Sequence, residues 1–274
     1  MNERRTLVIV RGGGDLGSGV AVRLARSGYR VVILETRAPA VVRRRVAFAE
    51  AVFTGRTEVE DLVGELVDVE EVVAWLEAHG RERALPVVVD PDGELLTRLG
   101  PDAVVDARMA KRNLGTTRED ASVTIGLGPG FEAGVDCDAV VETNRGHSLG
   151  RALSGGMAEA DTGTPAPVMG VAEKRLVRAP GSGVFESCAS IGDVVAAGDV
   201  VGAVGGAEVT VSTPGLLRGL IADGVEVHEG QKIGDVDPRG ASVDPATVSD
   251  KALAIGGGVL EALLSRGVTP GRVA

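Results

Sequence analysis

The sequence predicts an α/β protein: a mostly parallel sheet, then a smaller all-β domain, then a C-terminal helix. Three observations carry that expectation. A short apolar strand, Val8-Ile9-Val10, empties into Arg11-Gly12-Gly13-Gly14-Asp15-Leu16-Gly17, a Gly-x-Gly-x-x-Gly turn. Further apolar runs follow through the first half, continuous rather than alternating, as strands buried on both faces read. The second half changes to valines punctuated by glycines, and that pattern occurs twice.

The glycine turn sits in a Rossmann-like context. An amphipathic helix follows it, with Val20, Leu24 and Ala25 on one face, and a second strand, Val31 to Leu34, ends at Glu35. Gly12, Gly14 and Gly17 permit the tight turn and let backbone N–H groups approach a pyrophosphate. The helix N-terminus adds its positive end, and Glu35 is placed to hydrogen-bond a ribose. The other reading is a Rossmann-like half that keeps the turn and binds no nucleotide. Asp15 inside the turn counts against a plain NAD site, because an acid beside a pyrophosphate is unfavourable without a compensating metal or capped N–H.

Down the chain, a basic helix is expected from Ala40 to Val52, carrying Arg43, Arg44 and Arg45 as a solvated face or an anion-attracting rim. A second helix is expected from Glu70 to His79. Strands are expected at Pro86–Val89, Ala103–Asp106, Ser122–Leu127 and Ala139–Val141. The division that results is a Rossmann-like domain over residues 1–154, a connector over 155–172, a β domain over 173–240, and a C-terminal helical segment over 241–274 packing back on the first domain. That segment holds a helix from Thr247 to Leu264 with Asp250 as cap or first-turn acid. Gly256-Gly257-Gly258 inside it costs roughly 1 kcal/mol per glycine relative to alanine. Such a cost points to a close approach by another backbone or a ligand, or to a simple interruption of the helix.

Composition narrows the function classes. The chain has 274 residues, enough for one large or two modest domains. With 40 glycines and only 2% aromatic residues, its core must be filled by Val, Leu, Ile and Ala. A net charge of −10 argues against nucleic acid as a partner. No apolar run reaches the ~18 residues of a membrane span and no signal peptide is evident, so a cytoplasmic protein is expected. Cys137 and Cys188 form neither a disulfide framework nor a metal pair. No Ser-His-Asp order, P-loop, HExxH or paired-carboxylate signature is present, and no metal site is expected from the cysteines and histidines. His79 and His228 read as structural or solvent-facing.

Three loops past strand ends are the candidates for chemistry, because ligands of open α/β sheets sit beyond the carboxyl ends of the strands. The first runs from Asp106 through Arg108, Lys111 and Asn113 to Thr116. The second is Gly128-Pro129-Gly130, and the third is Glu142-Thr143-Asn144-Arg145-Gly146-His147. Lys111, Arg108 and Arg145 suit phosphate. Gly128 and Gly130 can present amides to an anion. Asp106 and Glu142 can act as bases or hold a metal or ribose, and His147 is the natural proton carrier near neutral pH. The expected catalytic set is therefore His147, Asp106 and Lys111. The expected cofactor-binding set is Gly12, Gly14, Asp15, Gly17, Glu35, Asn113, Gly128, Gly130, Asn144 and Arg145. For each residue alone, a solvated charge or a turn is the competing reading.

The repeat Gly192-Asp193-x-Val195-x-x-Gly198, returning as Gly224-Val225-x-Val227-x-x-Gly230, resembles the barrel-sandwich hybrid of biotinyl and lipoyl carriers. Carriers of that kind bear a lysine at the hairpin tip. The equivalent Val211-Ser212-Thr213-Pro214-Gly215 has none, so a docking or structural module is expected. Over nearly its whole length the chain resembles the YqeB-type selenium-dependent molybdenum hydroxylase system proteins. The resemblance rests on Arg11–Glu35, Arg43–Gly55, Val88–Gly93, Val104–Thr116, Ile125–Arg151, Ile191–Gly206 and Ser249–Leu264.

That resemblance implies an accessory role in maturing molybdenum hydroxylases: a client hydroxylase as partner and a molybdopterin-type cofactor or nucleotide as the phosphate-bearing ligand. It supplies no catalytic residue set. Neither cysteine stands out as a selenium carrier. An NAD(P)-dependent oxidoreductase using Glu35 and His147, or a scaffold binding nothing, are the alternatives. Self-association into a homo-oligomer is compatible with all three.

Overall fold

The structure, a computed structural model, describes residues 5–79, 83–161, 163 and 167–271. These divide into two compact units. The first takes the chain up to Arg37, Phe48–Asp161 and the segment from Val248 onward; the second takes Ala38–Ala47 and the segment ending at Thr247.

The first unit is a mixed α/β structure. Its elements are β1 (Leu7–Arg11), α1 (Asp15–Arg26), β2 (Arg30–Glu35), α2 (Ala51–Thr54), β3 (Arg56–Val59), β4 (Leu62–Leu66), α3 (Val72–His79), β5 (Ala84–Val89), α4 (Glu94–Leu99), β6 (Ala103–Asp106) and β7 (Val123–Leu127). They continue with β8 (Glu132–Ala133), β9 (Ala139–Val141), β10 (Ala152–Leu153), β11 (Gly156–Met157) and, after the second unit, α5 (Asp250–Leu264). Nine strands form one sheet in the order β10-β9-β7-β6-β1-β2-β5-β4-β3, and β8 pairs separately with β11. All neighbours in the large sheet are parallel except the edge pairs β3–β4 and β9–β10. The six strands β5-β2-β1-β6-β7-β9 follow the 3-2-1-4-5-6 order of a doubly wound sheet, and the order reverses between β1 and β6.

Both faces of this sheet are covered, which is why its strands carry unbroken apolar runs. Ile9, Val32, Leu34, Val88 and Val104 pack with Val72 and Leu76 of α3 and Leu95 of α4. The alternate residues, Val8, Val10, Val31 and Ile33, are buried on the other face, toward α1 and the 48–54 segment. Helix α5 lies against α1 with almost no side chain between them. A Cβ on Gly19 would meet Ala252 Cβ at 2.6 Å, and one on Gly256 would meet Gly19 O at 2.9 Å. Gly258 faces Gly150 in the same manner, at 2.0 Å from its carbonyl, whereas Gly257 faces open space. Backbone approach by two neighbours thus accounts for two of the three helical glycines. Ser249 is the N-cap, its side chain accepting from Ala252 N at 3.1 Å, and Asp250 is the first-turn acid.

The second unit comprises β12 (Leu176–Arg178), β13 (Gly183–Ser187), β14 (Val194–Val195), β15 (Val200–Val204), β16 (Ala207–Thr210), β17 (Gly215–Leu220), β18 (Glu226–Val227) and β19 (Lys232–Asp237). Two four-stranded antiparallel sheets, β12-β19-β17-β14 and β16-β15-β13-β18, share one apolar core that includes Phe185, Val201, Leu217, Leu220 and Ile233. The sequence repeat appears as a near-twofold correspondence. Gly183 pairs with Val227 as Gly215 pairs with Val195, and both glycines have φ near +153°. Gly198 donates to Val211 O as Gly230 donates to Ala179 O. Each repeat lends its short strand, β14 or β18, to the other repeat's sheet.

Three expectations need correction. The segment Ala40–Val52 is not one helix but two 3₁₀ turns, Arg44–Val46 and Phe48–Glu50, followed by the short α2. The chain leaves the first unit over Ala38–Ala47 and lies along the second. There Val42 sits on Gly219, Arg43 Nη2 donates to Thr247 O at 3.3 Å, and Arg44 Nε donates to Leu220 O at 2.8 Å. Arg43 and Arg44 are thus anchors of this strap rather than a solvated face, while Arg45 is exposed. The borders also differ: the first unit extends to Asp161, and residues 38–47 belong to the second. The expected connector 155–172 begins with strand β11 and falls partly outside the described residues. No helix of the described residues is long and apolar enough to cross a membrane.

The glycine run of α5 makes a paired prediction. Gly258→Ala, whose methyl meets a backbone carbonyl, lowers stability by about 1–3 kcal/mol. Gly257→Ala, with open space around it, leaves stability unchanged or raises it by up to ~1 kcal/mol. Chemical denaturation of the two variants checks both.

Candidate functional site

The glycine turn lies where the strand order reverses, at the carboxyl edge of the first unit's sheet. Gly12 has φ +100°, and a Cβ there would meet the Ala107–Arg108 peptide at 3.0 Å, so the loop after β6 lies directly on the turn. Gly17 is closer still: its Cβ would fall 2.0 Å from Gly12 O. Gly14 is the N-cap of α1 at φ −68° and ψ −174°, a conformation open to any residue. The first turn of α1 begins at Asp15, so an acid occupies the positive end of the helix.

Glu35 does not present a free carboxylate. It is buried at the end of β2, where Oε1 accepts from Gly13 N at 2.6 Å and Oε2 accepts from Thr36 N at 2.9 Å. Burial raises its pKa above the usual carboxylate value, and the two amides oppose that shift. Its expected role on a ribose is therefore replaced by one inside the turn. Ser18 completes the arrangement, donating to Gly13 O at 2.8 Å and accepting from Phe48 N at 2.8 Å, while Ala49 N donates to Gly13 O at 3.0 Å.

The three candidate loops do meet. A Cβ on Gly130 would meet Arg112 N at 2.5 Å, and one on Gly128 would meet Thr143 Oγ1 at 2.4 Å. Met109 and Lys111 both have positive φ, 54° and 60°, in the loop that Gly130 contacts. The side chains, however, are largely engaged with the protein itself. Asp106 is buried and takes Arg108 Nε at 3.1 Å and Nη2 at 2.5 Å, the Arg108 amide at 3.1 Å, and the Thr116 hydroxyl at 2.8 Å. Its oxygens are thus engaged by Arg108 and Thr116 of its own loop rather than turned to solvent. Asn113 Oδ1 accepts from Gly115 N and Thr116 N and its amide donates to Thr116 O, which makes it the former of a turn.

Glu142 is likewise buried, accepting from Asn144 N and Glu159 N at 2.7 Å each. Asn144 donates to Glu159 Oε2 at 2.6 Å. Arg145 forks onto Asp250 at 2.9 and 2.7 Å, and Lys111 pairs with Asp161. Gly128 N is spent on Val141 O at 2.9 Å, so that amide does not face an anion. His147 is exposed, and its backbone carbonyl accepts from Arg151 Nε at 3.4 Å.

A residue whose role is not legible from sequence stands at the centre of this edge. Arg11 ends β1 and is buried; Nη1 donates to Thr116 Oγ1 at 3.1 Å and Nη2 to Asp92 O at 3.3 Å, with Asp120 3.9 Å away. Burial lowers its pKa and the Arg108 charge lowers it further, while Asp106, Asp120 and Asp90 act in the opposite sense. Asp90 is buried and caps α4 through the amides of Gly93, Glu94 and Leu95. The available signal was a charged residue ending a strand buried along its whole length. Cys137 is buried and donates to Ala139 O at 3.1 Å; burial pushes its thiol up to about 11, so it is not a thiolate nucleophile at neutral pH.

Fold and site together define a mixed α/β protein with a glycine turn at the switch point of a mostly parallel sheet. No protein-family model matches the chain. It is similar to the uncharacterized protein YqeB of Escherichia coli K12, 49% identical over 258 residues, which is 94% of this chain and 47% of that relative. The similarity runs over nearly all of this chain, which spans about half the length of that relative. Among solved structures, an aspartoacylase family protein from Mesorhizobium loti is 16% identical, with 85% of each chain covered and a TM-score of 0.28. A succinylglutamate desuccinylase/aspartoacylase from Rhodobacter sphaeroides is 13% identical, with 85% of each chain covered and a TM-score of 0.26.

Two outcomes are expected at this edge. Thr116→Val removes the hydroxyl shared by Arg11, Arg108 and Asp106 and costs about 1–3 kcal/mol in denaturant titrations. Glu35 is a carboxyl whose folded pKa is raised, so the folded state binds its proton more readily and stability falls as pH rises through the window above 4.5. Glu35→Gln is not subject to that loss. Its stability relative to the native protein therefore improves as pH rises across that window, which melting curves at successive pH values will show.

Proposed function

We propose that this chain is an accessory factor for molybdenum hydroxylases that binds a phosphate-bearing cofactor, molybdopterin or its nucleotide form, at the carboxyl edge of the α/β unit. The observation that carries the reading is the position of Gly12–Gly17, a glycine turn opening a helix where the strand order reverses between β1 and β6. The resemblance to molybdenum hydroxylase system proteins supplies the client.

The side-chain arrangement favours recognition through phosphate. Arg145–Asp250 and Lys111–Asp161 are exposed pairs, which contribute little to stability, so either cation can exchange its carboxylate for a ligand phosphate at small cost. The Asp106–Arg108 pair is desolvated and holds the loop that lies on the turn. Glu35 is engaged by the Gly13 and Thr36 amides, which weighs against ribose recognition and against the NAD(P) oxidoreductase reading. His147, exposed beside Arg145, is the group left to move a proton at the ligand.

The second unit, with its two interlocked repeats, is read as a barrel-sandwich hybrid of the biotinyl and lipoyl kind. It lacks a lysine in Val211–Gly215, and so serves to dock the hydroxylase rather than to carry a prosthetic group. The complex forms in the cytoplasm.

Native mass spectrometry of the full chain with molybdopterin species, ATP, FAD and NAD(H) offered in turn tests the assignment. A pterin adduct is expected, and it should be lost in Gly14→Val, whose backbone conformation tolerates the substitution. A nicotinamide adduct, or a pterin adduct that survives Gly14→Val, overturns it.

A further inference from the structure

The turn Gly128-Pro129-Gly130 follows β7, and in the sheet β7 lies between β6 and β9. The loops past those two neighbours close on the turn from either side. Thr143, two residues past the end of β9, is only 5% exposed. Among the described residues its hydroxyl has no hydrogen-bond partner, yet that oxygen is not sealed from solvent. A Cβ on Gly128 would lie on the Thr143 hydroxyl, so the glycine keeps it uncovered on this side. Native proteins rarely leave a buried hydroxyl unpaired without water or a ligand to answer it.

From the other side comes the loop after β6. A Cβ on Gly130 would come within 2.6 Å of Arg112 Cα. The shape of that loop is imposed rather than relaxed. Met109 and Lys111, at φ 54° and 60°, are two of the four non-glycine residues with positive φ among the described residues. Left-handed backbone at residues with side chains persists where the surroundings hold it. Here it sets Arg112 against Gly130. Arg11, Arg108, Lys111 and Arg145 on the same edge are all engaged by protein groups. Among the described residues the exposed Arg112 guanidinium has no such partner, and neither has the Gly130 amide.

We propose that Thr143 Oγ1, Gly130 N–H and Arg112 form a phosphoryl subsite at the Gly128-Pro129-Gly130 turn. The proposal rests on the reading above for the identity of the ligand and names the side chains that recognise its anion. A hydroxyl, an amide N–H and a guanidinium all donate, which suits an oxyanion and not a cation. The glycine turn at Gly12–Gly17 carries an acid, Asp15, and no cation, so Arg112 supplies charge that the turn lacks. The acid beside Thr143 in the chain, Glu142, is spent on the amides of Asn144 and Glu159.

Thr143→Val separates a ligand role from a structural one. Removing a hydroxyl that bonds nothing in the protein leaves the melting temperature unchanged or higher, whereas losing one that supports the fold lowers it. The full chain, Thr143→Val and Arg112→Ala are titrated calorimetrically with inorganic pyrophosphate. Saturable binding is expected for the native chain, about tenfold weaker in each variant. Equal affinity in either variant, a lowered melting temperature for Thr143→Val, or no saturable binding of millimolar pyrophosphate by the native chain overturns the proposal. Pyrophosphate binding that Thr143→Val weakens, in a chain that gives no pterin adduct, supports the subsite and sinks the pterin reading alone.

Discussion

The constraint on which the first unit depends is the approach of backbones to the first turns of α1, at distances no side chain would permit. Gly17 lies on the Gly12 carbonyl, Gly12 lies on the Ala107–Arg108 peptide, and Gly19 meets α5. Because α1 is held on these sides at once, its first turn is fixed relative to the loop after β6. A methyl at Gly17 would push the helix from the turn, and one at Gly19 or Gly256 would push α5 from the sheet. Precision at the carboxyl edge therefore rests on missing Cβ atoms as much as on any attractive contact, a consequence of close packing in protein interiors.

A second device repeats along the same edge. Glu35, Asp90, Asp106 and Glu142 stand at or just past the ends of β2, β5, β6 and β9, and each is buried. Each accepts amide hydrogens from its own or an adjoining loop: Gly13 and Thr36, Gly93 to Leu95, Arg108, and Asn144 with Glu159 respectively. Loops at a sheet edge leave backbone N–H groups without ladder partners, and a buried carboxylate with several acceptor sites answers them. These acids organise the loops at the carboxyl edge of the sheet. Lys111 and Arg145, by contrast, are exposed and pair with Asp161 and Asp250 at the surface.

The second unit solves a different problem with the same residue type. Its two repeats are too short to close a core alone, so each gives its two-residue strand to the other's sheet. Glycines at equivalent places carry the left-handed turns, Gly192 and Gly224 before the short strands, Gly198 and Gly230 after them. One core, filled mainly by valine, leucine and isoleucine around Phe185, then serves both halves. On β19, Asp235 and Asp237 are buried and held by Arg175, Arg218 and Arg239, a charged layer that fixes the strand's far end.

The sequence by itself determined the fold class and the run of central strands, but not the 38–55 segment or the edge strands β3 and β4. Short apolar runs bounded by turn residues read as strands covered on both faces, the strand–glycine turn–helix order sets a parallel start, and valines spaced between repeated glycines set a second, β-rich unit. It also marked the loops that meet at the carboxyl edge, because a residue just past a strand end must lie there. Only the tertiary structure decided what the charged groups of those loops do. Glu35, Asp106, Asn113 and Arg145 read as ligand groups when their partners are unknown, but their partners are amides, an arginine and an acid up to about a hundred residues away, as with Arg145 and Asp250. Arg11 went unremarked for the same reason. Composition and spacing record which groups a chain carries, whereas a carboxylate becomes a base, a cap or an anchor through distances that exist only once the chain has folded.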